Sequence, residues 1–231
     1  MFKNMLIAFT AIIFLSGCTG LSKAERLEKL SHAKTSALAT SKQAPLVAIT
    51  AGEGVSMAAG QALAILLGGQ PSYGGRSLLG QNTIMEDNNI KDPAIGFAKK
   101  LAPKIAKKYK LRFTNSTPIV DIENVQDIAK AKNSDLVLVV KTTRLESNHF
   151  RFDYDNYRVT VDFSMDLKDG ETGKTVAYQN CSYFNRHETT DDAPTWDDLY
   201  ENGAKGFQKI LIDAQNFCAD DIMEKITEDE E

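Results

Sequence analysis

The clearest alternation of apolar and polar residues runs through YRVTVDFSMDL, residues 157–167, where Tyr157, Val159, Val161, Phe163, Met165 and Leu167 take every second place. Arg158, Thr160, Asp162, Ser164 and Asp166 fill the places between, and a period of two belongs to a strand with one face in a core and one in water. KDGETGK then supplies turn residues, and TVAYQNCSYF returns as the antiparallel partner. Upstream, LVLVV is continuously apolar, as in a strand covered on both faces, and this strand is expected over residues 136–145. Helical spacing is equally legible. Ile95, Ala98, Ala102, Ile105 and Tyr109 recur at intervals of three and four after Asp92-Pro93, an N-cap followed by a first-turn proline. Pro103 is expected to bend that helix, because it removes an internal hydrogen bond. A short helix ending near Asn133 follows a strand around residues 111–114. In the last element Trp196, Leu199, Tyr200, Ala204, Phe207, Leu211, Ala214 and Phe217 form one apolar stripe. Thr195 and Asp198 make a capping-box pair at its start, and the helix is expected to reach Ile226.

This order of elements predicts an α/β (α+β) fold, a mixed or antiparallel sheet packed by helices and closed by a long C-terminal helix. Residues 44–231 are read as one domain, with a strand or extended entry over residues 44–50. Residues 18–43 read as a tether, its stretch 19–41 rich in Ser, Ala, Lys and Thr and carrying a helix over residues 23–37.

Residues 51–80 stand apart, holding more than half of the fifteen glycines around a small-residue apolar run. A phosphate loop is not supported, because Met57 stands where a third glycine is needed and no Gly-Lys-Ser/Thr follows. The run is also too short to span a bilayer, which takes roughly 20 apolar residues. Two readings stay open: a close-packed helix, or a partner or membrane contact through Val55, Ala59, Gly60, Leu63 and Leu67.

The amino terminus reads as an export signal. Lys3 is its only charge, Met5 to Leu15 form an apolar core of eleven residues, and the small pair Ser16-Gly17 precedes Cys18. Leu15-Ser16-Gly17-Cys18 resembles a bacterial lipobox at each position. The resemblance implies cleavage after Gly17, a diacylglyceryl thioether on Cys18 and an N-acyl chain such as palmitate on the new amino group. Two or more acyl chains anchor stably. Thr19, where an Asp would imply inner-membrane retention, points by the same resemblance to the outer membrane, facing the periplasm. Removing residues 1–17 leaves 214 residues and takes the formal net charge from −4 to −5.

That address bears on the other cysteines. With Cys18 lipidated, Cys181 and Cys218 remain as an even pair, which an oxidising compartment would join as a disulfide; two separate buried thiols are the alternative. The composition, 42% hydrophobic and 25% charged, is that of an ordinary globular chain. No clustered basic face of the kind nucleic acids need is evident. Lys99, Lys100, Lys104, Lys107 and Lys108 line one side of a helix, either as a solvated face or as a surface for anionic headgroups.

Catalytic motifs are not found. His187-Glu188 begins like a zincin, but Asp191 stands where the second histidine belongs. Asp153 and Asp155 begin like a calcium loop, but Arg158 occupies the glycine position. There is no Gly-x-Ser-x-Gly elbow. Antiparallel pairing of the hairpin would still bring His149, Asp153 and Asp155 to the same end as His187 and Asp191, a candidate for a divalent metal beside the simpler reading of a polar loop cluster. No catalytic residue and no cofactor beyond the acyl chains are expected.

SDLVLVV after a short helix, and LKDGETGKTV in the hairpin, resemble α/β modules of envelope lipoproteins such as the curli-secretion lipoprotein and the amino-terminal domain of TolB. The resemblance spans about residues 92–226 and transfers no catalytic residue. It implies a non-enzymatic lipoprotein that binds or scaffolds an envelope protein partner in assembly, secretion or transport. A ligand- or metal-binding module and an envelope hydrolase are the alternatives.

Overall fold

A computed structural model describes residues 21–44, 46–48, 81–120, 122–150, 153–185 and 192–229. The elements are α1 (Lys23–His32), β1 (Thr35–Thr40), β2 (Leu46–Ala48), α2 (Gln81–Asp87), α3 (Pro93–Tyr109), β3 (Arg112–Phe113), α4 (Val125–Lys132), β4 (Leu136–Phe150), β5 (Asp153–Asp169), β6 (Thr175–Phe184) and α5 (Trp196–Glu228).

The predicted hairpin of β5 and β6 forms one side of a mixed sheet, in the order β3-β1-β4-β5-β6. Every apolar position of the alternating run, from Tyr157 to Leu167, is buried. β4 pairs antiparallel with β5 along its length and parallel with β1 and then β2 on its other side. It extends beyond the expected residue 145 to Phe150, past an irregularity between Thr142 and Arg144.

The tether reading is corrected. The helix expected to residue 37 stops at His32, and Ser22 and Glu25 start it with a reciprocal capping box. The next element is β1, TSALAT, paired with β3 on one side and β4 on the other. Only Thr35 of its six residues is not buried. Residues 23–40 therefore belong to the domain, whose boundary moves forward from residue 44. Strand wins over helix here because β1 fills the slot between two other strands, where small side chains suit a layer packed on both faces.

Helices cover the sheet unequally. α3 and α5 lie on one face over the larger core, where Phe97 stacks on Phe163 with ring centroids 4.5 Å apart. α4 covers the other face near Ala37, Ala39, Val137 and Val139. α3 and α5 run side by side in the same direction, since Lys100, Lys104 and Lys108 bond in turn to Asn216, Asp220 and Thr227. Three lysines of the expected basic side are thus engaged with α5. Gly96 permits this approach: a Cβ there would sit 2.5 Å from the Gln215 Oε1. Pro103 lies within α3 and does not interrupt it.

α5 reaches Glu228, and Thr195 and Asp198 form the expected capping box. The continuous stripe needs two corrections. Glu201 to Ala204 leave helical geometry, with φ of 53°, 75° and 53° at Asn202, Gly203 and Ala204, so a short first turn meets the main helix at a kink. Phe217, expected in the core stripe, is 50% exposed and contacts the Tyr183 ring.

The domain has a basal and an apical end. The basal end holds the start of β1, the end of β5 and the start of β6, joined through Ser36↔Leu136, Leu136↔Asp169 and Lys168↔Thr175. The apical end holds the finish of β1, the start of α3, the finish of β4 beside the start of β5, and the start of α5.

Candidate functional site

β1 sits where the winding of the chain reverses. The chain passes from β1 to β3 by way of α3 on one face, and from β3 to β4 by way of α4 on the other; Leu38 faces the first core and Ala37 and Ala39 the second. In open α/β sheets the carboxyl end of such a strand opens onto a crevice suited to ligands. Here that place is a cleft of about 930 Å³ between the end of β1, α2, the start of α3 and Val120.

The walls of the cleft are held firmly. Thr40, 1% exposed, donates its amide to the Ile119 carbonyl at 2.8 Å, and its carbonyl accepts from the Ile122 amide at 3.3 Å. Asp92 caps α3 by accepting from the Ala94 amide at 2.8 Å, and the Thr142 hydroxyl donates to the same oxygen at 2.8 Å. This ties the helix start to β4, and it engages the first helical amide instead of leaving it for an anion. Lys42 and Lys91 supply cationic groups; Met85, Ile90, Ile95 and the 53% exposed Val120 supply apolar wall. Glu86 lines the cleft too and with Asp92 balances the two lysines, so the cleft suits a ligand with an apolar body and a polar end. Among its described lining residues none is a histidine, cysteine or serine positioned for nucleophilic chemistry. The described chain breaks off at Ala48 and resumes at Gln81, and Val55, Ala59, Gly60, Leu63 and Leu67 lie outside the described residues.

The hairpin-end cluster is placed only in part. His149 pairs with Tyr157 across β4 and β5, and its Nδ1 lies 2.9 Å from the Phe150 carbonyl. The Asp153 carboxylate accepts from the amides of Asp155 and Asn156 and from the Asn156 side chain, bracing the start of β5 where its pairing with β4 shifts register. His187 and Asp191 lie outside the described residues. Among the described residues no group of three or more His, Cys, Asp or Glu is placed to hold a metal.

Cys181 on β6 and Cys218 on α5 form a disulfide with Cα atoms 5.5 Å apart. Cys18 lies outside the described residues. Near the apical end Tyr157, Trp196, Tyr200 and Phe207 form a chain of ring contacts, so Trp196 packs as expected. Burial pushes the Tyr200 phenol far above its ordinary range, which makes it a poor proton donor.

A second hollow, of about 460 Å³, lies at the basal end, and its polar groups serve the fold. Asp135 accepts from the amides of Lys34 and Thr35 and from the Thr35 hydroxyl, and these bonds hold its carboxyl below the usual range.

No family model matches the chain, and no curated protein matches it. Solved structures similar in part include lipoprotein GNA1162 of Neisseria meningitidis, at 14% identity over 67% of this chain and 88% of that one, with a TM-score of 0.28. A Xanthomonas campestris protein matches at 13% identity over 58% and 63%, with a TM-score of 0.32. A hypothetical protein of Chlamydia trachomatis matches at 8% identity over 84% and 96%, with a TM-score of 0.36. At these scores none assigns a family or an activity.

Proposed function

We propose that this protein is a lipid-anchored envelope component that binds or scaffolds a protein partner and performs no catalysis of its own. The division of its three cysteines carries the reading. Cys181 and Cys218 are bridged, which suits an exported chain, and the cysteine left over is the one at the end of Leu15-Ser16-Gly17-Cys18. Diacylglycerol on the thiol and an acyl chain on the amino group would hold the domain at the periplasmic face of the outer membrane. The partner belongs to assembly, secretion or transport, and residues 55–67 remain the sequence's candidate for its contact.

The test is incorporation of labelled palmitate in cells, with fractionation. The native chain is expected in the membrane fraction and labelled, and Cys18→Ala unlabelled with its signal uncleaved. Absence of label in the native chain would overturn the anchor. In-cell crosslinking then tests the scaffold role, which fails if Gly60→Leu leaves every adduct unchanged. A second reading, a ligand-binding module, is favoured by the apical cleft beside the winding reversal. A small molecule retained in native mass spectrometry and lost on Val120→Trp would support it over scaffolding.

A further inference from the structure

We propose that the basal end of the domain rests on the anionic lipid surface to which Cys18 is fixed, so that the apical cleft faces away from the membrane. This orientation rests on the lipid-anchor reading above. Reach limits it first. Ser22, the N-cap of α1, lies four residues after Cys18, and four residues span at most about 14 Å. α1 is itself fastened to the domain, with Leu30 in the core and the Lys29 ammonium 2.9 Å from Asp169. A tether extending to residue 43 would have allowed any orientation; a tether ending at Ser22 does not.

Charge favours the same orientation. Lys23 and Arg26 are exposed on α1, and Lys107, Lys110 and Arg112 are exposed where α3 ends and β3 begins. At the apical end the exposed groups include Glu86, Asp87, Asp155, Asp192, Asp197, Asp198 and Glu201, against Lys42, Lys91, Arg158, Lys205 and Lys209, so acids still outnumber cations there. The chain is acidic overall, yet its anchored end presents a row of cations. Basal acids are present too: Asp169 is neutralised by Lys29, whereas Glu25, which caps α1, and Asp229, which accepts from Gln179, keep their charge. Glu28, Glu171, Glu224 and Glu228 are opposing exposed charges.

Apolar surface completes the match. Leu27 and Tyr178, 45% and 53% exposed, line the same groove of about 280 Å³ with Lys23 and Arg26. An aliphatic and an aromatic tip rimmed by cations suits the boundary between headgroups and acyl chains.

Trp196, the chain's single tryptophan, lies at the apical end and provides the control. The full mature protein is reconstituted in vesicles of phosphatidylcholine and phosphatidylglycerol carrying a nitroxide on the headgroup. Trp196 is expected to keep nearly all its emission, while Leu27→Trp or Tyr178→Trp in a Trp196→Phe background loses more than half. Replacing phosphatidylglycerol by phosphatidylcholine should reduce that loss, and Lys107→Glu with Lys110→Glu should weaken contact about fivefold per cation removed. Equal quenching at both ends, or quenching at position 27 indifferent to lipid charge and to these substitutions, would overturn the proposal. Should Trp196→Phe misfold, the Leu27→Trp chain with Trp196 retained must still show a quenched component absent from the parent. Mass measurement of the mature protein separates the two proposals: an unacylated Cys18 defeats the anchor, and coupling a synthetic diacyl lipid to it leaves the orientation testable.

Discussion

Asp169 is 3% exposed and accepts from the Thr172 amide at 2.8 Å, the Thr172 hydroxyl at 2.6 Å and the Lys29 ammonium at 2.9 Å. Burial alone would raise its pKa; these donors outweigh that and hold it below the ordinary 3.8. A carboxyl lowered in the folded state stabilises fully above its unfolded pKa and loses that contribution as pH falls through the folded value. Lys29 works in the opposite sense. Its pKa is raised, chiefly by the bond to Asp169, so its share is present below the unfolded value and lost as pH rises through the folded one. Asp169→Asn is therefore expected to cost about 2 kcal/mol at pH 7, with α1 loosened from the β5–β6 turn. Urea titrations should show the gap between native and variant closing as pH falls below about 4. A gap unchanged down to pH 2 would mean that the charge contributes nothing.

β6 and α5 are joined by a bridge between residues 37 apart in sequence, which corresponds to about 4 kcal/mol of loop-closure entropy. β6 has a strand neighbour on one side only among the described residues, and its Tyr183 leans on the half-exposed Phe217. Replacing both cysteines by alanine should lower stability by several kcal/mol, and amide exchange should rise first along β6 and the adjoining turns of α5. Uniform exchange would show that the bridge is not what holds this edge. The elements differ in how plainly they could be read. β5 announced itself because one face is wet, so burial is written into its alternation. β1 did not: TSALAT is buried on nearly every residue and made of small side chains, so neither period appears. The Ser22 and Glu25 capping box was present in the sequence, but only the strand after it shows where α1 must stop. At the kink in α5, Gly203 was a local sign, although Asn202 and Ala204 share its positive φ. The cleft was least legible, because Thr40, Lys42, Lys91 and Thr142 meet only through strand order, and strand order is set by long-range pairing. Asp92 was readable as a cap; its bond to Thr142 was not.

The domain boundary decides what the whole molecule can do at a membrane. β1 bonds to β3 and β4, and Leu38, 2% exposed, belongs to the same core as Phe97 and Phe163. A protein beginning at Leu21 keeps α1, β1 and the Lys29–Asp169 pair, and should fold as the native domain does. One beginning at Ala44 loses the strand between β3 and β4. That strips one side of β4 over residues 136–140 of its hydrogen-bonding partner and opens Val137 and Leu138 to water. Unpaired buried backbone groups and lost apolar contacts act together, and stabilities of folded domains are only about 5 to 15 kcal/mol. The shorter protein should therefore show no cooperative thermal transition and should elute as aggregate, while the longer one unfolds in a single step. Equal melting temperatures would return residues 21–43 to the role of a tether, and with it remove the limit of reach that sets the basal end against the lipid.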